Sequence, residues 1–182
     1  MYNGKYFSEV QKYCEDCKSG KIKANIYRIK AIDRFYRDLE DERYEFNPKD
    51  ADFIISIIQK TICHMQGETQ DGEPLRGTPF ILMPFHKFII YNLFGIYRKG
   101  TKIKKYHEAL IFIPRKNVKT SFSAALAYAV GLLYRKSGSK IYVVAAALKQ
   151  TLETFNFLKY NVRNMGLSLI HISEPTRPRL IS

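Results

Sequence analysis

His107-Glu108-Ala109-Leu110-Ile111-Phe112-Ile113-Pro114-Arg115-Lys116-Asn117-Val118-Lys119-Thr120-Ser121-Phe122-Ser123-Ala124-Ala125 is the stretch on which the fold turns. Residues 107–114 have a continuous apolar centre of strand length, which predicts a strand covered on both faces, as in a parallel sheet. From Thr120 to Tyr134 the residues are small and apolar, with Ala124, Ala125, Leu126, Ala127, Ala129, Val130, Leu132 and Leu133, and predict a helix packed closely on something flat. Ser137-Gly138-Ser139 marks a turn, Lys140 to Ala147 a second buried strand, and Leu148 to Met165 an amphipathic helix. This β-α-β-α order predicts an open α/β sheet.

Between the first strand and its helix lies Pro114-Arg115-Lys116-Asn117-Val118-Lys119-Thr120. A phosphate loop needs backbone N–H groups curled round the anion, a Lys for the β and γ phosphates, and a hydroxyl for Mg²⁺. Lys119 and Thr120 supply the last two at the mouth of a helix, whose N-terminus adds its positive dipole end. The standard G-x-x-x-x-G-K-[ST] pattern is met only in part, because its glycine positions hold Ile113 and Val118. Val118 is the harder departure. A β-branched residue is costly at positive φ, and its Cβ crowds a phosphate lying against the backbone. Either the loop is impaired or a single base change has turned a Gly codon into a Val codon.

Upstream the pattern is helical. Residues 5 to about 18 read as a short helix ended by Ser19-Gly20, and Lys21 to Glu40 carries apolar residues at three- and four-residue steps. Asn47 caps a further helix with Pro48 at its first position, continued by Phe53-Ile54-Ile55 and Ile57-Ile58. Residues 67–79 form a polar loop, 84–95 a helix entered near Pro84 and closed near Gly95, and 97–105 a basic turn. Residues 1–100 are thus a helical lead-in, and 101–166 the beginning of an α/β core.

The chain has 182 residues, enough for a domain with a real core. Its 30 Lys+Arg against 17 Asp+Glu give a formal charge of +13, which favours polyanionic partners. That excess alone does not separate DNA from RNA or an acidic protein. No apolar run is long enough for a bilayer, and the N-terminus lacks a secretory layout, so the cytoplasm is expected and no membrane partner. Cys14, Cys17, Cys63 and His64 make a zinc site only if two helices converge; as isolated residues they read as half-buried cysteines of a reducing compartment.

After Gly166 the pattern breaks into Leu167-Ser168-Leu169-Ile170-His171-Ile172-Ser173-Glu174-Pro175-Thr176-Arg177. This string resembles the conceptual translation of a transposon-type sequencing-library adapter, so 167–182 is expected to be a non-native tail, and the natural chain to continue differently.

Arg115-Lys116-Asn117, Lys119 and Thr120 after a buried strand resemble the terminase large subunits of tailed phages, whose loop reads Arg-Lys-Asn-Gly-Lys-Ser/Thr. Pro84, Phe85, Lys87, Phe88, Leu93, Phe94 and Gly95 resemble that family's Pro-aromatic-Gln-Lys-Phe and Leu-Phe-Gly segments. Arg34, Asp38 and Leu39 look like its lead-in helix, and Ala145 to Gln150 like its second strand and following turn. The resemblance implies a helical lead-in followed by the first, incomplete part of a P-loop ATPase parallel sheet, using ATP and Mg²⁺. It implies Lys119 on the β and γ phosphates, Thr120 on the metal, Arg115 facing the γ-phosphate as the catalytic residue, and Lys116, Asn117, Val118 and Gln150 shaping the nucleotide site. The family's adenine-reading Gln is His86 here, which has fewer hydrogen-bonding options and is alternatively a partly buried helix histidine. Implied partners are double-stranded DNA, a terminase small subunit, a portal and further copies of the chain, in the host cytoplasm. No acidic strand end for metal and water and no nuclease cluster occurs before Gly166, so little ATP hydrolysis and no DNA cutting are expected of this chain. Two other functions fit the residues: a different P-loop ATPase acting on nucleic acid, and a non-catalytic basic nucleic-acid-binding module.

Overall fold

The computed structural model describes residues 3–111, 118–134, 140–146 and 148–165. They fall into two compact units, Met1–Ser56 with Leu82–Ile111 and Ile57–Ile81 with Phe112–Ser182. The first holds α1 (Phe7–Lys18), α2 (Ile26–Glu40), β1 (Tyr44–Phe46), the start of α3 (Lys49–Thr61), α4 (Pro84–Phe94) and β2 (Ile96–Arg98). The second holds the end of α3, α5 (Lys119–Leu133) and α6 (Leu148–Asn164).

The helices of the first unit begin where their caps are. Asn25 is extended, and its side chain accepts the Arg28 N–H at 2.9 Å, so α2 starts at Ile26 rather than at Lys21 as the periodicity suggests. Asn47 accepts the Lys49 N–H at 3.2 Å, and Asp50 and Asp52 sit in the first turn of α3, where the helix dipole favours them. The core is aromatic. Phe7 lies 4.8 Å from Phe46, 5.4 Å from Tyr91 and 6.3 Å from Phe35 between ring centroids, and Phe35 meets Phe88 edge-on at 5.5 Å. Burying Phe7, Phe35 and Tyr91 contributes about 2 kcal/mol or more each. Asp52 then fixes the N-terminal segment: it accepts Tyr91 Oη at 2.5 Å and the Lys5 N–H at 2.9 Å. Buried Lys87 donates to Glu9 at 2.5 Å and so joins α4 to α1.

A short ladder closes this unit. β1 and β2 pair antiparallel, with Tyr44 opposite Arg98, Glu45 opposite Tyr97 and Phe46 opposite Ile96. The sequence predicts only a basic turn here, because three-residue strands are too short to show an alternating pattern.

In the second unit α5 packs against α6, and its buried residues are Phe122, Ala124, Ala125 and Ala129. Asn161 is fully buried, accepts the Cys63 N–H at 2.7 Å and donates to Phe157 O at 3.0 Å, tying the end of α3 to α6. Phe80 meets Phe157 edge-on at 6.4 Å, and residues 64–78 form the expected polar loop.

The expected parallel sheet is not present among the described residues, where the one ladder is antiparallel. Residues 107–111 and 140–146 take no strand conformation, and Leu110 and Val144 are 93% and 91% exposed. An apolar run predicts covering, but a strand exists only through a hydrogen-bonded neighbour, and neither run has one among the described residues. Phe112, Ile113 and Ala147 lie outside them. What is seen is a mixed arrangement of helices with one small sheet.

Candidate functional site

Of the expected loop, Pro114 to Asn117, with Arg115 and Lys116, lie outside the described residues; Val118, Lys119 and Thr120 are described. Val118 immediately precedes α5 and takes a left-handed conformation, φ 54° and ψ 24°. It is the one non-glycine residue at positive φ among the described residues. For a β-branched side chain this costs about 1–2 kcal/mol, and glycine adopts it freely. The backbone here therefore has the turn that a loop glycine makes, although the residue is valine.

Two consequences follow for the helix start. Val118 O accepts the Phe122 N–H at 2.9 Å, opening the helical ladder, and Val118 offers no side-chain cap. The N–H groups of Lys119, Thr120 and Ser121 precede that first helical bond, so they point out of the end of the helix. No acidic residue occupies the first turn. Lys119 and Thr120 are exposed there. An uncapped helix end with a cation and a hydroxyl beside it suits a phosphate group, through N–H donation and the dipole together.

The other expected nucleotide residues fall elsewhere. Gln150 is exposed in the first turn of α6. His86 is 2% exposed in the first turn of α4, where its Nδ1 accepts the Met83 N–H at 3.3 Å. Burial holds its imidazole neutral, lowering its pKa to about 4. Its ring is thus used to cap its own helix.

Mg²⁺ keeps several waters and needs only one or two protein ligands beside phosphate oxygens. The exposed Thr120 hydroxyl fits that modest demand. Among the described residues no group of three or more His, Cys, Asp or Glu side chains could hold a metal alone. Cys14 and Cys17 are buried in α1, and burial pushes the Cys14 thiol up to about 12, so it is not a thiolate ligand at neutral pH.

Sequence pattern alone does not single out the acids that fasten residues 97–106 to the lead-in. Asp50 accepts Tyr97 Oη at 2.5 Å and Lys104 Nζ at 2.6 Å, and Asp38 pairs with Lys105. The adjacent lysines are legible only as part of a basic turn; nothing local shows that they diverge.

No helix among the described residues is long and apolar enough to cross a membrane. A family model described as the terminase large subunit, ATPase domain, matches residues 84–176, half of the chain. The match starts at Pro84 of α4, spans the loop and α5 and α6, and runs into the stretch that resembles an adapter translation. No curated protein and no solved structure matches the chain.

Proposed function

The chain belongs to the terminase large subunit ATPase domain family, and from that premise we propose that it is part of the ATP-driven motor that packages viral DNA. The observation that carries the reading is the left-handed Val118 directly before an uncapped α5. In this reading the triphosphate lies against the α5 N-terminus, with Lys119 Nζ on the β and γ phosphates and Thr120 Oγ1 on the metal. Arg115 faces the γ-phosphate, Lys116 and Asn117 shape the loop, and Gln150 follows the second strand. Bound Mg²⁺ would neutralise phosphate charge as it develops. Arg115 adds a second cation to the same charge. The reading includes a parallel sheet through 107–114 and 140–147, whose neighbours would cover Leu110 and Val144. It also takes in duplex DNA, the small subunit, the portal and further copies of the chain as partners, in the host cytoplasm. Residues 167–182 are proposed to be foreign to the working protein.

Lys119→Ala tests it. Titration of a fluorescent ATP analogue should show at least about tenfold weaker binding, roughly 1.4 kcal/mol, with DNA binding kept. A variant that keeps nucleotide affinity but loses salt-sensitive DNA binding would support the basic module instead.

A further inference from the structure

The surface of α2 opposite its core carries Tyr27, Lys30, Arg34 and Arg37, at steps of three, four and three residues. At 3.6 residues per turn these four fall within about 80° of arc, on the side away from buried Ile32 and Phe35. All four are exposed, Tyr27 to 77%.

The helix also contains three acids, and other elements neutralise two of them. Asp33 is paired with Lys18 of α1 at 2.6 Å, and Asp38 is buried and paired with Lys105. Just past the helix, Asp41 is held by Arg43 at 2.6 Å. Glu40 stays exposed at the final residue, one turn past Arg37 and beside that end of the stripe. Lys30, Arg34 and Arg37 form no ion pair among the described residues. Arg34 lies over the Tyr106 ring at 5.7 Å, which braces its guanidinium while leaving the edge free to donate. The fold thus pairs two of the three acids of α2 and leaves a row of three cations with an exposed aromatic at its head.

We propose that this row is a contact surface for the phosphate backbone of duplex DNA. The inference takes its partner from the proposed function and adds where on the chain that partner is held. From Lys30 to Arg37 the helix rises about 10 Å, the axial span of about three phosphates of one strand. Guanidinium groups grip phosphates bidentately, and a tyrosine hydroxyl donates to a phosphate oxygen. These contacts carry no base information, which suits a surface that must accept any sequence.

The test is binding of a short fluorescein-labelled duplex by the whole chain, followed by anisotropy as salt rises. Combined Lys30→Gln, Arg34→Gln and Arg37→Gln should flatten the dependence of log affinity on log salt by about 2.7, near 0.9 per lost phosphate contact. Lys12→Gln, Lys60→Gln and Lys102→Gln together remove the same charge from other positions and should flatten it far less. Single reversals at exposed positions, Lys30→Glu and Arg37→Glu, give the same answer should the triple variant unfold, as read from its helical circular dichroism. Equal losses in the two triple variants would mean net charge alone and would overturn the surface while leaving the DNA partner standing. The surface is overturned in the same way if the stripe variant loses affinity for polyglutamate but none for the duplex. A wild-type chain with no salt-sensitive duplex binding would overturn the DNA partner and the surface together.

Discussion

Lys104 and Lys105 are neighbours in the chain, yet they pair on different helices, Lys104 with Asp50 of α3 and Lys105 with Asp38 of α2. Lys104 sits in an isolated bridge and Lys105 at a bend, and the chain direction there puts one ammonium on each helix. The segment leading toward the loop is thereby fastened twice within two residues. Both lysines also lie against aromatic rings, Lys104 over Tyr97 at 4.5 Å and Lys105 over Tyr44 at 4.6 Å.

Removing one side of the inner pair should be expensive. Asp38 is 6% exposed, so Lys105→Met leaves a buried carboxylate without its cation and should cost about 3 kcal/mol. Asp38→Leu combined with Lys105→Met should recover most of that loss, because the pair goes together. Urea denaturation of the two single variants and the double variant reads the coupling; additive losses would mean that the pair does not act as a unit.

Gly95 should tolerate no side chain. A Cβ there would lie 2.7 Å from Tyr91 O and 3.2 Å from the Phe46 ring, both held in the core of the first unit. Its φ is an ordinary −104°, so the requirement is space and not conformational freedom. Gly95→Ala is expected to cost about 1–3 kcal/mol by overpacking, measured as a lowered melting temperature.

The buried imidazole of His86 makes a prediction about pH. Its folded pKa is about 4 against an ordinary 6.5, so between those values the unfolded chain binds the extra proton. Its contribution is fully present above pH 6.5 and is lost as pH falls toward 4, by about 3 kcal/mol in all. His86→Gln removes the titrating group and keeps a side chain that can accept the Met83 N–H. Urea midpoints at neutral and mildly acid pH should fall less in this variant than in the wild type; an equal fall would assign the acid sensitivity elsewhere.

Val118→Gly should tighten the proposed nucleotide site. Glycine occupies the left-handed conformation without strain and removes the Cβ branches beside the helix mouth. The gain in an ATP-analogue titration should be about tenfold or more, or roughly 1.4 kcal/mol. Stability should rise by less than about 1 kcal/mol, since glycine also loosens the unfolded chain. Unchanged nucleotide affinity would show that Val118 does not limit the loop.

Helices are the part of this fold that the sequence displays openly. Pro84 and Gly95 bracket α4, Asn47 caps α3, and the small apolar run after Lys119 forms α5, because each rests on contacts a few residues apart. The left-handed turn at Val118 is legible as well, from what the Lys119-Thr120 pair requires just before it. Long-range pairing is not. Nothing near Phe46 announces Ile96, and nothing near Lys105 announces Asp38. The apolar runs at 107–111 and 140–146 have no strand partner among the described residues for the same reason, since hydrophobicity reports what a segment wants to touch and not what it pairs with.

Those bare runs have a colloidal consequence. Leu110 and Val144 stand almost wholly in solvent, each in an apolar run, and exposed apolar runs favour pairing between molecules. At low ionic strength a charge of +13 keeps copies of the chain apart. Salt shortens the range of that repulsion, from about 10 Å at 0.1 M to about 3 Å at 1 M, while leaving the sticky segments as they are. The buffer that strips nucleic acid from the purified chain is therefore also the one expected to make it clump.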